Sequence, residues 1–300
     1  MQALILAGGE GSRMRSVTAH VPKALLYLPG GTLLEHQLAL LAKLPVSHTF
    51  VVIHHQAQQM GLALAGLEKV SFVRQGPPFT LLGALASAEE HVTEQCIVLH
   101  GDNYYSRGLE YLLDEAQIGA RGVRPDALFL LESQTGQSDR ALRLASTGCY
   151  VLSPEIFPTI KSLHGDALST LTAALLNDGA IVKEVPLLGW RKNINHVEDL
   201  LWVSRRMLEE WKGSFHPRDA DQGYNAFQAC PTGERPVWIS KASEVVDSDI
   251  GSHVVVGPGA RVRDCVLRDV IVFPGAEVAR QRVERAVVVP TRSDCALSTP

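Results

Sequence analysis

Long apolar runs are missing from this 300-residue chain. None approaches the ~18 residues that a membrane-spanning helix needs. A basic excess is missing too. Lysine plus arginine number 28 against 32 for aspartate plus glutamate, a formal net charge of −4. No positive field is therefore available for sequence-independent attraction to a nucleic-acid backbone. Cysteine is sparse: Cys96, Cys149, Cys230, Cys265 and Cys295 stand far apart, odd in number and without metal-knuckle or redox spacing. Reduced, mostly buried thiols in a cytoplasmic protein are expected. The first residues carry no basic stretch or cleavage site, so no signal peptide is expected. These absences exclude membrane, secreted-scaffold and nucleic-acid-binding classes. Core material is plentiful: 46% of residues are hydrophobic, enough to fill an interior and to argue against disorder. At about 150 residues per domain, the length favours two domains.

The first 210 or so residues alternate in the α/β manner. Strand-like runs are Gln2–Ala7, Thr49–Ile53, Val70–Val73, Cys96–His100, Ala127–Leu131 and Ile181–Val185. Helical spacing occupies Thr32–Leu44, Gln56–Leu67, Leu82–His91, Leu109–Gln117, Pro154–Leu163, Ser169–Asn177 and Val197–Trp211. Strands alternating with helices imply crossover connections and a mostly parallel, Rossmann-like sheet. Ligands of such sheets bind at the carboxyl ends of the strands. The domain expected here is 1–212. Residues 213–236 are rich in glycine, proline and polar residues and read as a linker.

From 237 to 300 the chain changes again. Ile250, Val256 and Val262 are six apart, each followed four residues later by Val254, Ala260 and Val266, and Val272, Ala276 and Val278 resume the spacing. A period of six with a small or β-branched residue pointing inward is the hexapeptide signature of a short β-helix, in which stacked coils bury what no single coil can. The ordinary alternative is a β-sandwich edge with alternating valines, which does not explain sixes. No catalytic cluster accompanies the repeat, so this segment is expected to serve homo-oligomer assembly.

The strongest signal is Leu6-Ala7-Gly8-Gly9-Glu10-Gly11-Ser12-Arg13, followed by Pro22-Lys23-Ala24-Leu25-Leu26. A strand runs into a glycine-rich loop, and glycine lets backbone N–H groups approach phosphate oxygens without a Cβ in the way. Arg13 and Lys23 add two permanent cations. The loop is neither GxxxxGK[ST] nor GxGxxG with its distal acid.

LAGGEGSRM and PKALL resemble the opening motifs of the sugar-1-phosphate nucleotidyltransferases, and the likeness extends over nearly the whole chain, since several members carry a C-terminal left-handed β-helix. The resemblance implies that Leu6, Ala7, Gly8, Gly9, Gly11, Ser12 and Arg13 line a nucleotide site. Gly101-Asp102-Asn103 is similar to the family's G-D-N, which implies that Asp102 binds Mg²⁺. Asn193-Ile194-Asn195-His196-Val197-Glu198-Asp199-Leu200 is similar to D-I-G-x-P-E-D-L. It implies Asn193 as the second ligand, or Asn195 if the register slips by two, while Asp199 suits the start of the following helix. Mg²⁺ takes hard oxygen ligands, few of them from protein.

Gln75 stands where members read the base, and Gly83 falls in a partly matching stretch. Gly148, Tyr150 and the residues around them resemble a wall of the acceptor pocket. The family's E-K-P lysine is missing, so Arg140, Arg143, Arg191 and Lys192 are candidate substitutes, with Lys192 assigned to the acceptor. His54 and His55 read as structural or solvent-facing. The implied activity is Mg²⁺-dependent conversion of a nucleoside triphosphate and a sugar 1-phosphate to an NDP-sugar and pyrophosphate, with Arg13, Lys23 and Asp102 catalytic. Two alternatives remain: a catalytically inactive subunit of the same fold, and a non-sugar phosphate or phosphonate acceptor.

Overall fold

The computed structural model describes residues 1–117, 124–134, 143–163, 168–210 and 236–290. The expected linker lies outside these residues apart from Pro236, as do Cys230, Cys295 and Arg140. No helix among the described residues is long and apolar enough to cross a membrane. The chain forms two compact units. One combines Met1–Glu10 with Leu34–Lys192, the other Gly11–Leu33 with Asn193–Pro300.

The first unit is built on a seven-stranded sheet ordered Val182–Pro186, Ala127–Gln134, Arg143–Leu152, Cys96–His100, Gln2–Leu6, Thr49–Ile53, Val70–Arg74. All six expected strands are present and mutually parallel where they pair. Ala3, Leu4, Ile5, Ile97, Val98 and Leu99 are at most 1% exposed, as two-sided burial of a central parallel strand requires.

The seventh strand, Arg143–Leu152, is absent from the sequence reading and runs antiparallel to both neighbours, making the sheet mixed. Its apolar pattern is broken by Ser146, Thr147 and Gly148, and its pairing with Ala127–Gln134 shifts register between Phe129 and Leu131. Thr147 is buried without penalty because its hydroxyl donates to the Leu130 carbonyl at 2.7 Å. Interior glycine often marks such an irregularity. The expected helix Leu82–His91 is two pieces, Leu81–Ala86 and a 3-10 turn at Glu89–His91.

In the second unit, parallel strands stack in three sets. Val237, Val254, Val270 and Ala286 stand in register, 17, 16 and 16 positions apart. Glu244, Arg261 and Glu277 form a second set, and Asp249, Val266 and Arg282 a third. Each coil needs tight corners, and the backbone there is left-handed at Asp247, Asp264 and Arg280, at His253, Asp269 and Arg285, and at Gly259 and Gly275. The coil repeat is thus shorter than three strict sixes. Val254, Val256, Ala260 and Val262 are fully buried, whereas Ile250 and Val266 are only half-buried.

The outer row Trp238, Val255 and Ile271 is buried as well. Helix Val197–Glu210, which buries Leu200, Leu201, Val203, Ser204, Met207 and Leu208, packs beside Val266–Val272 and Arg282–Val288. An Arg205–Asp269 ion pair at 3.2 Å and a Glu209–His253 hydrogen bond at 3.1 Å join the helix to the coil. Tyr27 meets the edge of Phe273 at 6.4 Å between ring centroids.

Candidate active site

In the first unit, the strand Gln2–Leu6 delivers Leu6, Ala7, Gly8 and Gly9 to the carboxyl edge of the sheet. The Ala7 N–H donates to Val52 at 2.8 Å and Gly101 N–H donates to the Leu6 carbonyl at 2.9 Å, tying three strand ends together. A Cβ on Gly101 would sit 2.8 Å from that carbonyl, so the glycine of Gly101-Asp102 is a packing requirement. Gly8 is equally confined: its Cβ would meet Gln75 Oε1 at 2.7 Å and His54 Cβ at 3.3 Å. Gly9 is exposed, with open space around it.

Gln75 is buried. Its Nε2 donates to the carbonyls of Thr80 and Pro78 at 3.0 and 3.4 Å, which leaves Oε1 turned toward Gly8. His54, expected to be structural or solvent-facing, stacks on Phe79 with ring centroids 3.8 Å apart. Gly83 is buried, and a Cβ there would lie 1.9 Å from the Pro78 carbonyl oxygen. Its N–H donates to the Thr80 hydroxyl, which caps the short helix. Gly83 therefore shapes the loop carrying Gln75's partners.

Asp102 follows strand Cys96–His100 and is half-buried. The turn presenting it is clamped by Gln37, a polar residue on helix Leu33–Leu41 that no sequence motif marks. Gln37 is 1% exposed, and its Nε2 donates to the carbonyls of His100 and Asn103, both at 2.8 Å. One amide thus grips the backbone on either side of Gly101-Asp102. Asn103 is also buried, donates to the Asp102 carboxylate at 3.3 Å and accepts from Arg191 Nη1 at 3.0 Å. Arg191 Nε binds Glu132 at 3.0 Å. Arg191, one of the cations weighed as substitutes for the family's acceptor lysine, is thereby linked to this network.

Gly148 adopts φ +72°, and a Cβ on it would strike Asn103 Nδ2 and the His100 ring at 2.7 to 2.9 Å. Tyr150, expected on the acceptor wall, is instead fully buried in the core, with its hydroxyl bonded to His100 Nε2. It braces the histidine before the Asp102 turn, because a strand buried on both faces leaves no open wall. Tyr105 donates to the Thr147 carbonyl at 3.1 Å, and burial pushes its phenol well above the ordinary range, so it stays a neutral donor.

In the second unit, Gly11 has φ +65° and its carbonyl accepts from Met14 N–H and the Thr18 hydroxyl at 2.9 and 2.8 Å. Ser12 and Arg13 are exposed on the 3-10 turn that follows. Lys23 Nζ donates to Asn195 Oδ1 at 3.0 Å. The two asparagines therefore differ: the Asn195 oxygen is engaged, whereas Asn193 Oδ1 is buried without a hydrogen-bond partner. Asp199 Oδ2 accepts from the N–H groups of Asn195 and His196 at 2.9 Å each, one half of a capping box at the start of the helix. Among the described residues no cluster of three or more histidine, cysteine, aspartate or glutamate side chains is placed to hold a metal.

A strand-to-glycine-loop opening, a mixed α/β sheet and a carboxylate presented beside that opening describe an enzyme that transfers nucleotidyl groups. The model of the MobA-like NTP transferase domain matches residues 3–178, and the chain belongs to that family. It is 25% identical to the UTP–glucose-1-phosphate uridylyltransferase AglF of Haloferax volcanii, over 70% of this chain and 98% of that one. It is also 25% identical to a glucose-1-phosphate thymidylyltransferase of Streptomyces griseus, over 96% and 92% of the two chains. A crystal structure of a Bacillus anthracis glucose-1-phosphate thymidylyltransferase with sucrose superposes with a TM-score of 0.59 at 20% identity, over 68% of this chain and 94% of that one. That likeness is one of fold.

Proposed function

We propose that this nucleotidyltransferase joins a nucleoside triphosphate to a sugar 1-phosphate, releasing pyrophosphate. The observation that carries the reading is the Asp102 turn, held at the carboxyl edge beside Leu6–Gly9 by the buried amides of Gln37 and Asn103. The names of the Haloferax and Streptomyces relatives, both glucose-1-phosphate enzymes, support the acceptor class. An oxygen of the acceptor phosphate forms a bond to the α-phosphorus, the bond from that phosphorus to the bridging oxygen breaks, and pyrophosphate leaves. The attacking phosphate is already an anion at neutral pH, so no general base is needed. The protein's part is positioning and charge neutralisation.

The residues suit Mg²⁺. Asp102 offers a hard carboxylate, and Asn193 Oδ1 is a buried amide oxygen with no hydrogen-bond partner among the described residues. The likeness of the segments around Asp102 and Asn193 to the family's motifs is the ground for naming these two as the residues that would hold the ion, and bound Mg²⁺ would supply charge neutralisation at the phosphates. The engagement of Asn195 by Lys23 supports Asn193 over Asn195 as the amide ligand. Glycines 8, 9 and 11 present backbone to the triphosphate, Arg13 and Lys23 neutralise it, and Gln75 faces the base. Arg191, through Asn103, keeps the Asp102 carboxylate oriented and joins Lys192 as a cation for the acceptor.

The C-terminal coil is inferred to be a left-handed β-helix that assembles copies of the chain. Its Glu244–Arg261–Glu277 ladder, with Arg261 2.5 Å from Glu277, carries both signs of charge, as a self-complementary face needs. Light scattering at low and high salt tests this; a salt-independent monomer removes the assembly role. The activity is tested by incubating the protein with each nucleoside triphosphate, Mg²⁺ and a panel of sugar 1-phosphates, phosphocholine and phosphonates, measuring pyrophosphate. Release with sugar 1-phosphates is the expected result. Release only with a non-sugar acceptor reassigns the substrate, and none with any acceptor overturns the reading.

A further inference from the structure

Phe79 combines two properties that rarely meet. Its side chain is 58% exposed, yet it is pinned from several sides. The ring stacks on His54, 3.8 Å between centroids with planes 17° apart. The carbonyls immediately before and after it, on Pro78 and Thr80, both accept from Gln75 Nε2. The other two members of the cluster, Gln75 and His54, are the atoms that crowd the missing side chain of Gly8. A single exposed apolar residue needs no explanation by itself. An exposed aromatic whose loop is tied down beside the glycine opening is different, because ordering it costs entropy that solvent exposure does not repay.

We propose that the outer face of Phe79 is the stacking platform for the base of the nucleoside triphosphate, with His54 as the positioning residue that holds the ring. The inference rests on the nucleotidyltransfer reading above and deepens it. Every base has a π-face, so an aromatic platform adds affinity without choosing among bases. The choice falls to polar atoms at the base edge, where Gln75 Oε1 lies nearby. Gln75 acts twice: its nitrogen sets the loop bearing the platform and its oxygen stays free to accept.

The test compares full-length wild type with Phe79→Ala, Phe79→Trp and His54→Ala. Binding of UTP, dTTP, CTP, ATP and GTP is measured beside tripolyphosphate, which has no base, and turnover beside both. Phe79→Ala should weaken the accepted nucleotide by about tenfold, the scale of one base–aromatic stack. Tripolyphosphate binding and kcat at saturating nucleotide should not change. His54→Ala should do the same more weakly. Phe79→Trp should restore affinity and show indole fluorescence quenched by nucleotide but not by tripolyphosphate. Unchanged nucleotide binding in Phe79→Ala overturns the platform and leaves the enzymatic reading intact. Equal losses for nucleotide and tripolyphosphate overturn it too, making Phe79 a support of the phosphate loop. A wild-type chain that binds no nucleotide sinks both proposals together.

Discussion

The Lys23 ammonium donates to the Asn195 carboxamide oxygen at 3.0 Å, joining side chains 172 positions apart in the sequence. The bond links the end of the glycine-loop motif to the segment before the last long helix. It also separates Asn195, which holds a cation, from Asn193, whose oxygen is buried and unbonded.

From that pair, Lys23→Ala and Arg13→Ala should each lower kcat by a factor on the order of 10², as expected when a transition-state donor is lost. Asn195→Ala keeps the ammonium but frees its geometry, so kcat should fall by roughly tenfold or more. Steady-state kinetics with parallel melting curves decide the matter. A variant that melts lower but turns over normally reassigns its residue to structure.

Asp102→Ala should abolish Mg²⁺-dependent turnover while leaving the fold intact, since a half-buried carboxylate at a turn holds no core together. Asn193→Asp should keep activity and need less Mg²⁺, because a carboxylate replaces a neutral ligand. An inactive but well-folded Asn193→Asp would exclude a metal role for that position.

Gln37→Leu removes a donor from two carbonyls, the one on Asn103 buried and the one on His100 partly so. The expected cost is about 1–3 kcal/mol of stability for an unsatisfied buried group, read from urea unfolding. Turnover should fall further than stability, with the Mg²⁺ requirement rising, because the turn bearing Asp102 loses its clamp. Equal Mg²⁺ dependence in variant and wild type would confine Gln37 to a packing role.

Gly11→Ala tests the loop backbone. A Cβ there meets Thr18 Cγ2 at 2.7 Å and must adopt φ +65°. The strain should cost about 1–3 kcal/mol, visible as a lower melting temperature, and Thr18→Ser should relieve part of it by removing the clashing methyl.

Cys96 and Cys149 are fully buried, and burial pushes both thiols up. In the unfolded chain they ionise near the ordinary value of about 8.5. Their contribution to stability is therefore whole below that pH and is lost progressively as pH climbs above it, by about 1.4 kcal/mol per pH unit for each thiol. Urea unfolding between pH 8 and pH 10 should show a steeper decline in wild type than in a Cys96→Ala, Cys149→Ala variant. Identical slopes would mean the thiols are not the groups at work.

Much of the sheet was legible because a parallel strand buried on both faces must be a continuous apolar run, and QALIL, TFVVI and CIVLH are such runs. The glycine loop was legible as a cluster of glycines directly after a strand, and the structure requires the missing side chain at Gly8, crowded by Gln75 and His54, and at Gly11, with φ +65°. Arg143–Leu152 was not, since Thr147 and Gly148 are tolerated there only through partners elsewhere: the Leu130 carbonyl for the hydroxyl, and Asn103 and His100 crowding the bare Cα.

The sequence by itself determined the α/β alternation, the chemistry of Gly8, Gly9, Gly11, Arg13, Lys23 and Asp102 as residue types, and the repeating valines of the coil. These follow from local spacing and backbone freedom, which are properties of neighbours along the chain. Only the tertiary structure decided that Gln37 grips the Asp102 turn, that Tyr150 is core, that Lys23 takes Asn195 rather than Asn193, and that helix Val197–Glu210 packs on the coil beside it. A hydrogen bond between residues tens or hundreds of positions apart leaves no periodicity to read. A buried amide or tyrosine looks like any other polar residue until its partner is in place.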